Sequence, residues 1–277
     1  MLKKIRGLAR ILKMSFNNFK IYTKRKGRAL RRNTRPESFP RSYHFAIVAV
    51  KREPYVKLAI DNINSLHYIN SSHKISFYCD DICEKEFKKL IHKLDYPKQV
   101  EIINKFGNSN EPWQYSKLET TIEISKKGWK LVDADAVWHH DPVLEKDRVT
   151  LLISNNKISD KPDEKAITLN IFNHPEWLSF GYYSSGFISI PAKFMNDKVA
   201  SDSRSFLKMI MENNLSFIEN ERARGDQKRQ AEQFALNLGL LTNWGEKIMT
   251  TLKDKDGTKD TNLLQSLYYG CAREIND

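Results

Sequence analysis

Cysteine is scarce in this chain: Cys79, Cys83 and Cys271 are its three. That excludes a disulfide-stapled scaffold and fits a reducing compartment. No CxxC or HxxxH accompanies them, so the set of about four ligands that a structural zinc needs is missing, and the thiols read as structural or incidental. Glycine and proline are also few, 11 and 9 residues, and no repeat recurs at solenoid spacing, which excludes collagen-like, low-complexity and repeat architectures. No apolar run approaches the roughly 20 residues of a transmembrane helix, and no secretory h-region opens the chain. GxGxxG and GxxxxGK[ST] are both absent. Neither a dinucleotide fingerprint nor a Walker-type loop is therefore available, and any bound phosphate has to be met by charge and metal.

What is present suits a globular enzyme-sized body. Of 277 residues, 40% are hydrophobic and 11% aromatic, enough to bury one large core or two closely packed ones. The net charge of +12 is unevenly spread. Residues 1–41 hold 14 Lys or Arg against one acid, Glu37, whereas residues 42–277 hold 32 basic and 33 acidic side chains. The high pI thus belongs to an arm, 1–41, and the body, 42–277, is nearly neutral.

In the arm, Leu2, Ile5, Leu8, Leu12, Phe16 and Phe19 recur every three or four positions with Lys3, Lys4, Arg6, Arg10, Lys13 and Lys20 between them. That spacing predicts a basic amphipathic helix. Three roles are open: an interfacial anchor in which residues 1–35 meet an anionic membrane surface, a helix packed on the body with Lys24 to Arg35 as a basic linker, or an organellar transit peptide. The expected location is cytoplasmic, and with the first role peripheral on the inner face of a membrane. Pro36 and Pro40 mark the boundary with the body.

The body alternates strand and helix. The patterns predict strands at 43–50, 74–79, 99–103, 130–137, 149–154 and 167–172, and a strand over 180–190 broken at Ser184, Ser185 and Gly186. Helices are expected at 54–67, 84–94, 113–127, 201–213 and 227–240. This order predicts right-handed βαβ units, a largely parallel sheet, and ligands at the carboxyl ends of the strands.

The stretch Lys130 to Pro142, KLVDADAVWHHDP, carries the most chemistry. An apolar strand delivers Asp133 and Asp135 to its carboxyl end, where two hard carboxylates suit Mg²⁺ or Mn²⁺ shared with substrate phosphates. Asp254-Lys255-Asp256 repeats the pattern without a preceding strand and reads as a solvated turn. His139 and His140 point to opposite strand faces, so at most one could join a metal site.

With these residues in view, the body resembles the GT-A-fold glycosyltransferases, which take nucleotide-sugar donors and carry a DxD motif for a divalent metal. The resemblance rests on motif order: the strand Ala46 to Val50, the helix Trp113 to Lys127, Asp133-Ala-Asp135, Asp141-Pro142, Ser184-Ser-Gly186 as a sugar-pocket turn, and Glu232-Gln233-Phe-Ala-Leu-Asn237 as the D-Q-x-x-L-N helix of retaining members. It implies a GT-A, Rossmann-like fold: a mixed, mostly parallel sheet flanked by helices, with the basic helical arm in front. It further implies Mn²⁺ or Mg²⁺ on Asp133 and Asp135, and nucleotide or donor contacts from Val50, Lys51, Trp113, Lys117, Asp133, Ser185 and Gly186. Glu232 and Gln233 become the catalytic candidates of a retaining hexosyltransferase acting on a glycan or lipid-linked acceptor. Glu replaces the usual Asp at 232, and no His follows His174 to supply the H-x-x-G-x-x-K segment of some members, leaving Lys255 or Lys259 as phosphate candidates.

Two rivals remain. Asp133-Ala-Asp135-Ala-Val137 also fits the D-x-D-x-[TV] nucleophile motif of haloacid-dehalogenase-type phosphohydrolases. A nucleic-acid-binding protein would use the basic arm, but the neutral body offers no basic patch and the arm lacks interleaved Tyr or Trp pairs for base stacking, so no nucleic-acid partner is expected.

Overall fold

A computed structural model describes residues 42–51, 53–138, 144, 147–152, 157–251 and 264–266. The arm 1–41, Arg52, His139 and His140, Asp141-Pro142, the end of the strand expected at 149–154, the Asp254-Lys255-Asp256 loop, Lys259 and Cys271 lie outside the described residues. In chain order the elements are β1 (His44–Ala49), α1 (Glu53–Ile69), β2 (Lys74–Cys79), α2 (Asp81–Leu90), β3 (Val100–Asn104), α3 (Trp113–Lys126), β4 (Lys130–Val132), β5 (Ala136–Trp138), β6 (Val149–Leu152), α4 (Pro162–Ile167), β7 (Ser184–Ser189), α5 (Asp197–Glu212), α6 (Glu221–Arg229), α7 (Ala231–Trp244), β8 (Met249–Thr251) and β9 (Leu264–Ser266).

The fold is of the α/β class with a mixed, mostly parallel sheet in the order β3-β2-β1-β4-β7-β6-β8, and β5 and β9 form a separate antiparallel pair. Parallel pairing joins β1 to β2, β2 to β3 and β6 to β8, whereas β6 and β7 are antiparallel. The central parallel strands β1 and β2 are largely buried on both faces, as strands covered on both sides must be: in β1, Phe45, Ala46 and Ile47 are fully buried.

The chain divides into two compact units. The first comprises the described residues up to 109 with 132–138 and 264–266. Its core is built from β1 and β2 with α1 and α2, where Phe77 stacks on Phe87 at 4.3 Å and Phe45 lies 5.7 Å from Trp138. The second comprises 110–131, 144 and the described residues of 147–251. Here α5 and α7 pack so closely that a Cβ on Gly239 would overlap Ser203 Oγ and stand 3.2 Å from Val199 O. Glycine at 239 is what lets the two helices meet.

Four expectations are corrected. The strand expected over 130–137 is two strands, because the chain turns at Asp133–Asp135. Residues 167–172 are helical, forming a π-helical turn that continues α4. Pro162 opens that helix, while the Thr168 hydroxyl donates to Glu164 O and Asn170 Nδ2 to Ala166 O, local bonds that outweigh β-branched propensity. Ser184, Ser185 and Gly186 do not break a strand; they open β7. The helix expected over 227–240 is two, α6 and α7, separated at Gln230.

Candidate active site

In the first unit, β1 delivers the buried Val50 and then Lys51, whose φ of 56° is left-handed and costly for a residue with a side chain. Asp80, placed just after β2 as Lys51 is just after β1, holds that conformation. Its Oδ2 accepts from Lys51 N at 2.7 Å and its Oδ1 caps α2 by accepting from Cys83 N at 2.9 Å. One buried carboxylate therefore orients the carboxyl ends of two neighbouring parallel strands, the place where α/β sheets bind ligands.

The Asp133–Asp135 turn lies in the same unit and is pinned by α1. Asp133 O accepts from Ala136 N at 3.1 Å, closing the turn, and from the fully buried Asn62 Nδ2 at 2.7 Å. One helical turn on, Ser65 Oγ accepts from Trp138 N at 3.0 Å. Asp135 is buried, at 3% exposure, and Asp133 is half-buried. Among the described residues no group of three or more His, Cys, Asp or Glu gathers to hold a metal. Asp133 and Asp135 stand two residues apart on a short turn whose backbone is pinned, hard donors of the type and number that Mg²⁺ or Mn²⁺ takes from a protein when substrate phosphates complete its shell.

In the second unit, side chains from α3, β7 and α7 converge. Lys117 Nζ lies 3.1 Å from Glu232 Oε1 and donates to Ser185 Oγ at 3.2 Å. The pair is buried, Lys117 at 8% and Glu232 at 5% exposure. Gln233 Oε1 accepts from Ser185 N at 2.9 Å and faces Ser185 Oγ at 3.2 Å. Gln233 Nε2 donates to Tyr182 Oη at 2.6 Å, and Tyr182 Oη donates to Gln230 Oε1 at 3.3 Å. On the next turn of α7, Asn237 Nδ2 donates to Tyr183 O at 2.7 Å. Burial, followed by the nearby Glu164 carboxylate, raises the Tyr182 phenol well above its ordinary value, so it stays protonated across the physiological range. The cluster is buried and dense in hydrogen-bond donors and acceptors, and within it Lys117 faces Glu232.

No protein-family model matches the chain, and no curated protein sequence matches it. Solved structures similar to it include several glycosyltransferases. The glycosyltransferase GlyE of Streptococcus pneumoniae is 15% identical at a TM-score of 0.44, with 77% of this chain covered; the chain spans 45% of that protein's length. An active-site mutant of LgtC is 10% identical at a TM-score of 0.47, covering 84% of this chain and 94% of that one. The mannosyltransferase PcManGT of Pyrobaculum calidifontis, determined with GDP-Man and Mn²⁺, is 14% identical at a TM-score of 0.35, covering 73% and 63%. Similarity of this depth carries no residue-level information, so the site stands on its own geometry.

Of the residues selected from the sequence, Lys117, Ser185, Glu232 and Gln233 come together in the second unit, with Gly186 beside Ser185 on β7. Val50 and Lys51 sit at the end of β1, Asp133 and Asp135 on their turn, and Trp113 at the first position of α3. Glu232 is buried against Lys117. Tyr182, Gln230, Asn62 and Asp80 were not foreseen. Asp80 had a usable signal, since it follows an apolar strand as Lys51 does. The others had none, because a lone Tyr, Gln or Asn has no spacing to recognise.

Proposed function

We propose that this protein is a metal-dependent glycosyltransferase that moves a sugar from a nucleotide-sugar donor to a glycan or lipid-linked acceptor. The observation that carries the reading is the convergence of Lys117, Ser185, Glu232 and Gln233. They come from three stretches of sequence, Lys117 expected at the nucleotide or donor, Ser185 at the sugar pocket, and Glu232 and Gln233 at the donor sugar and acceptor, and they form one hydrogen-bonded cluster.

In this reading Val50 and Lys51 at the end of β1 are assigned to the nucleotide, as is Trp113, and Asp133 and Asp135 hold Mn²⁺ or Mg²⁺. The cation would neutralise charge on the departing diphosphate. Lys117, Ser185 and Gly186 bind sugar hydroxyls and backbone-facing edges of the ring, and Glu232 and Gln233 orient the sugar for attack with retention at the anomeric carbon. Lys117 and Glu232 offset each other's charge at 3.1 Å, which suits holding a neutral sugar by hydrogen bonds. Among the described residues no helix is long and apolar enough to cross a membrane. We assign the basic sequence of residues 1–35 the task of holding the enzyme at an anionic cytoplasmic membrane surface, near a lipid-linked acceptor.

The test is a thermal-shift screen of UDP-, GDP-, CMP- and dTDP-linked sugars with and without Mn²⁺. A donor at 100 times its Kd stabilises the native state by about 2.7 kcal/mol. Stabilisation by one nucleotide class that needs Mn²⁺ and disappears in Asp133→Ala/Asp135→Ala is the expected result. No shift with any donor, together with hydrolysis of a generic phosphomonoester, refutes the transferase and favours the phosphohydrolase.

A further inference from the structure

The hydrogen bonds around Gln233 fix which way its amide faces. A backbone N–H can only donate, so the atom 2.9 Å from Ser185 N is the carbonyl oxygen Oε1. The same oxygen faces Ser185 Oγ at 3.2 Å, whose single proton has Glu232 Oε1 at 3.5 Å as its other acceptor. The nitrogen Nε2 must then face Tyr182 Oη at 2.6 Å and donate to it. Tyr182 already accepts one proton, so its own passes onward, to Gln230 Oε1 at 3.3 Å or to the buried Glu164 carboxylate, its other hydrogen-bond partner. The donors Ser185 N, Gln233 Nε2 and Tyr182 Oη therefore follow one another in a single direction. The amide nitrogen carries two protons and spends one on the phenol, so Gln233 keeps an N–H to offer a ligand.

We propose that Tyr182 is a positioning residue that locks the Gln233 amide in this orientation, so that Gln233 meets the donor sugar as a hydrogen-bond donor to one of its oxygens. The proposal rests on the glycosyltransferase reading for its ligand, though the lock itself is a property of the fold. Packing holds the phenol in place independently of its hydroxyl: the ring lies 6.0 Å from Phe234 and under Lys161 Nζ at 5.8 Å. Tyr182→Phe therefore removes the hydroxyl while keeping the ring.

Two measurements on the full chain test this. In ¹⁵N-glutamine-labelled protein, the two Nε2 protons of Gln233 should be well separated in wild type, with one bonded to the phenol, and the separation should collapse in Tyr182→Phe. Unchanged Gln233 amide signals in that variant overturn the lock, whatever the enzyme does. In a transfer assay with the donor found by the thermal screen, Tyr182→Phe should lower kcat about tenfold with donor KM changed less than about twofold. Adding it to Gln233→Ala should cost nothing further. Gln233→Glu, which keeps the shape but offers no N–H when ionised, should lose as much activity as Gln233→Ala. Full activity in Gln233→Glu overturns the donor role, and an unchanged kcat in Tyr182→Phe overturns the positioning role. If wild type turns over none of the donors, the transferase reading fails and takes the catalytic role with it, while the amide signals still decide the lock.

Discussion

The buried Lys117–Glu232 pair makes a sharp prediction about stability and function together. At 8% and 5% exposure, both charges are shielded from water, and they face each other at 3.1 Å. Glu232→Ala leaves a buried ammonium facing Ser185 Oγ, and breaking a buried pair from one side typically costs about 3–5 kcal/mol. For a body of this size, at about 2–4 °C per kcal/mol, the midpoint of thermal unfolding should fall by about 6–20 °C. Lys117→Met should cost a similar amount, because it removes the cation that faces the buried carboxylate. The double variant Lys117→Met/Glu232→Leu removes both desolvation penalties and should recover most of the loss, to within about 1–2 kcal/mol of wild type. Urea and thermal unfolding of the four proteins give the cycle, and a transfer assay on the same samples gives the activity. The double variant is expected to be folded and inactive. Single-variant costs below about 1 kcal/mol, the worth of an exposed pair, would refute the burial argument. A double variant that is stable and still active would remove the pair from the donor site.

Three further outcomes follow from other parts of the fold. Asp80→Ala removes the cap of α2 and the anchor of the left-handed Lys51, and should destabilise by about 1–2 kcal/mol in urea unfolding, with Asp80→Asn retaining part of it. Gly239→Ala drives a methyl into Ser203 on α5 and should cost about 1–3 kcal/mol, partly restored by Ser203→Gly; a neutral Gly239→Ala would mean that the helices separate freely. Burial, then the neighbouring Glu84 and Asp80, pushes the fully buried Cys79 thiol up to about 12. Since the unfolded thiol ionises near 9, the folded state holds this proton more tightly, so its contribution is intact below pH 9 and is lost as pH rises from there through about 12. The slope is at most roughly 1.4 kcal/mol per pH unit. Stability–pH curves of wild type and Cys79→Ala should coincide in shape below pH 9 and diverge above it.

The sequence alone determined the elements whose signals are local. The apolar runs at 43–50 and 74–79 are β1 and β2, the helical periodicity at 113–127 is α3, and Asp133 and Asp135 follow an apolar strand as expected. Strand–helix alternation also settled the α/β class, because a parallel sheet needs crossovers of that length. Where tertiary partners compete with propensity, the local signal misled. Residues 167–172 are rich in strand formers yet continue a helix, and Ser184-Ser185-Gly186 looks like a turn yet opens a strand that pairs with β6. Only the tertiary structure brought Lys117 to Ser185, 68 positions away, and turned Glu232 inward against the same lysine. A helical wheel shows which residues share a face of α7, but not that a cation from another helix waits opposite one of them. That information resides in hydrogen-bond partners far apart in the chain, whose meeting depends on how sheet and helices pack rather than on any neighbouring residue.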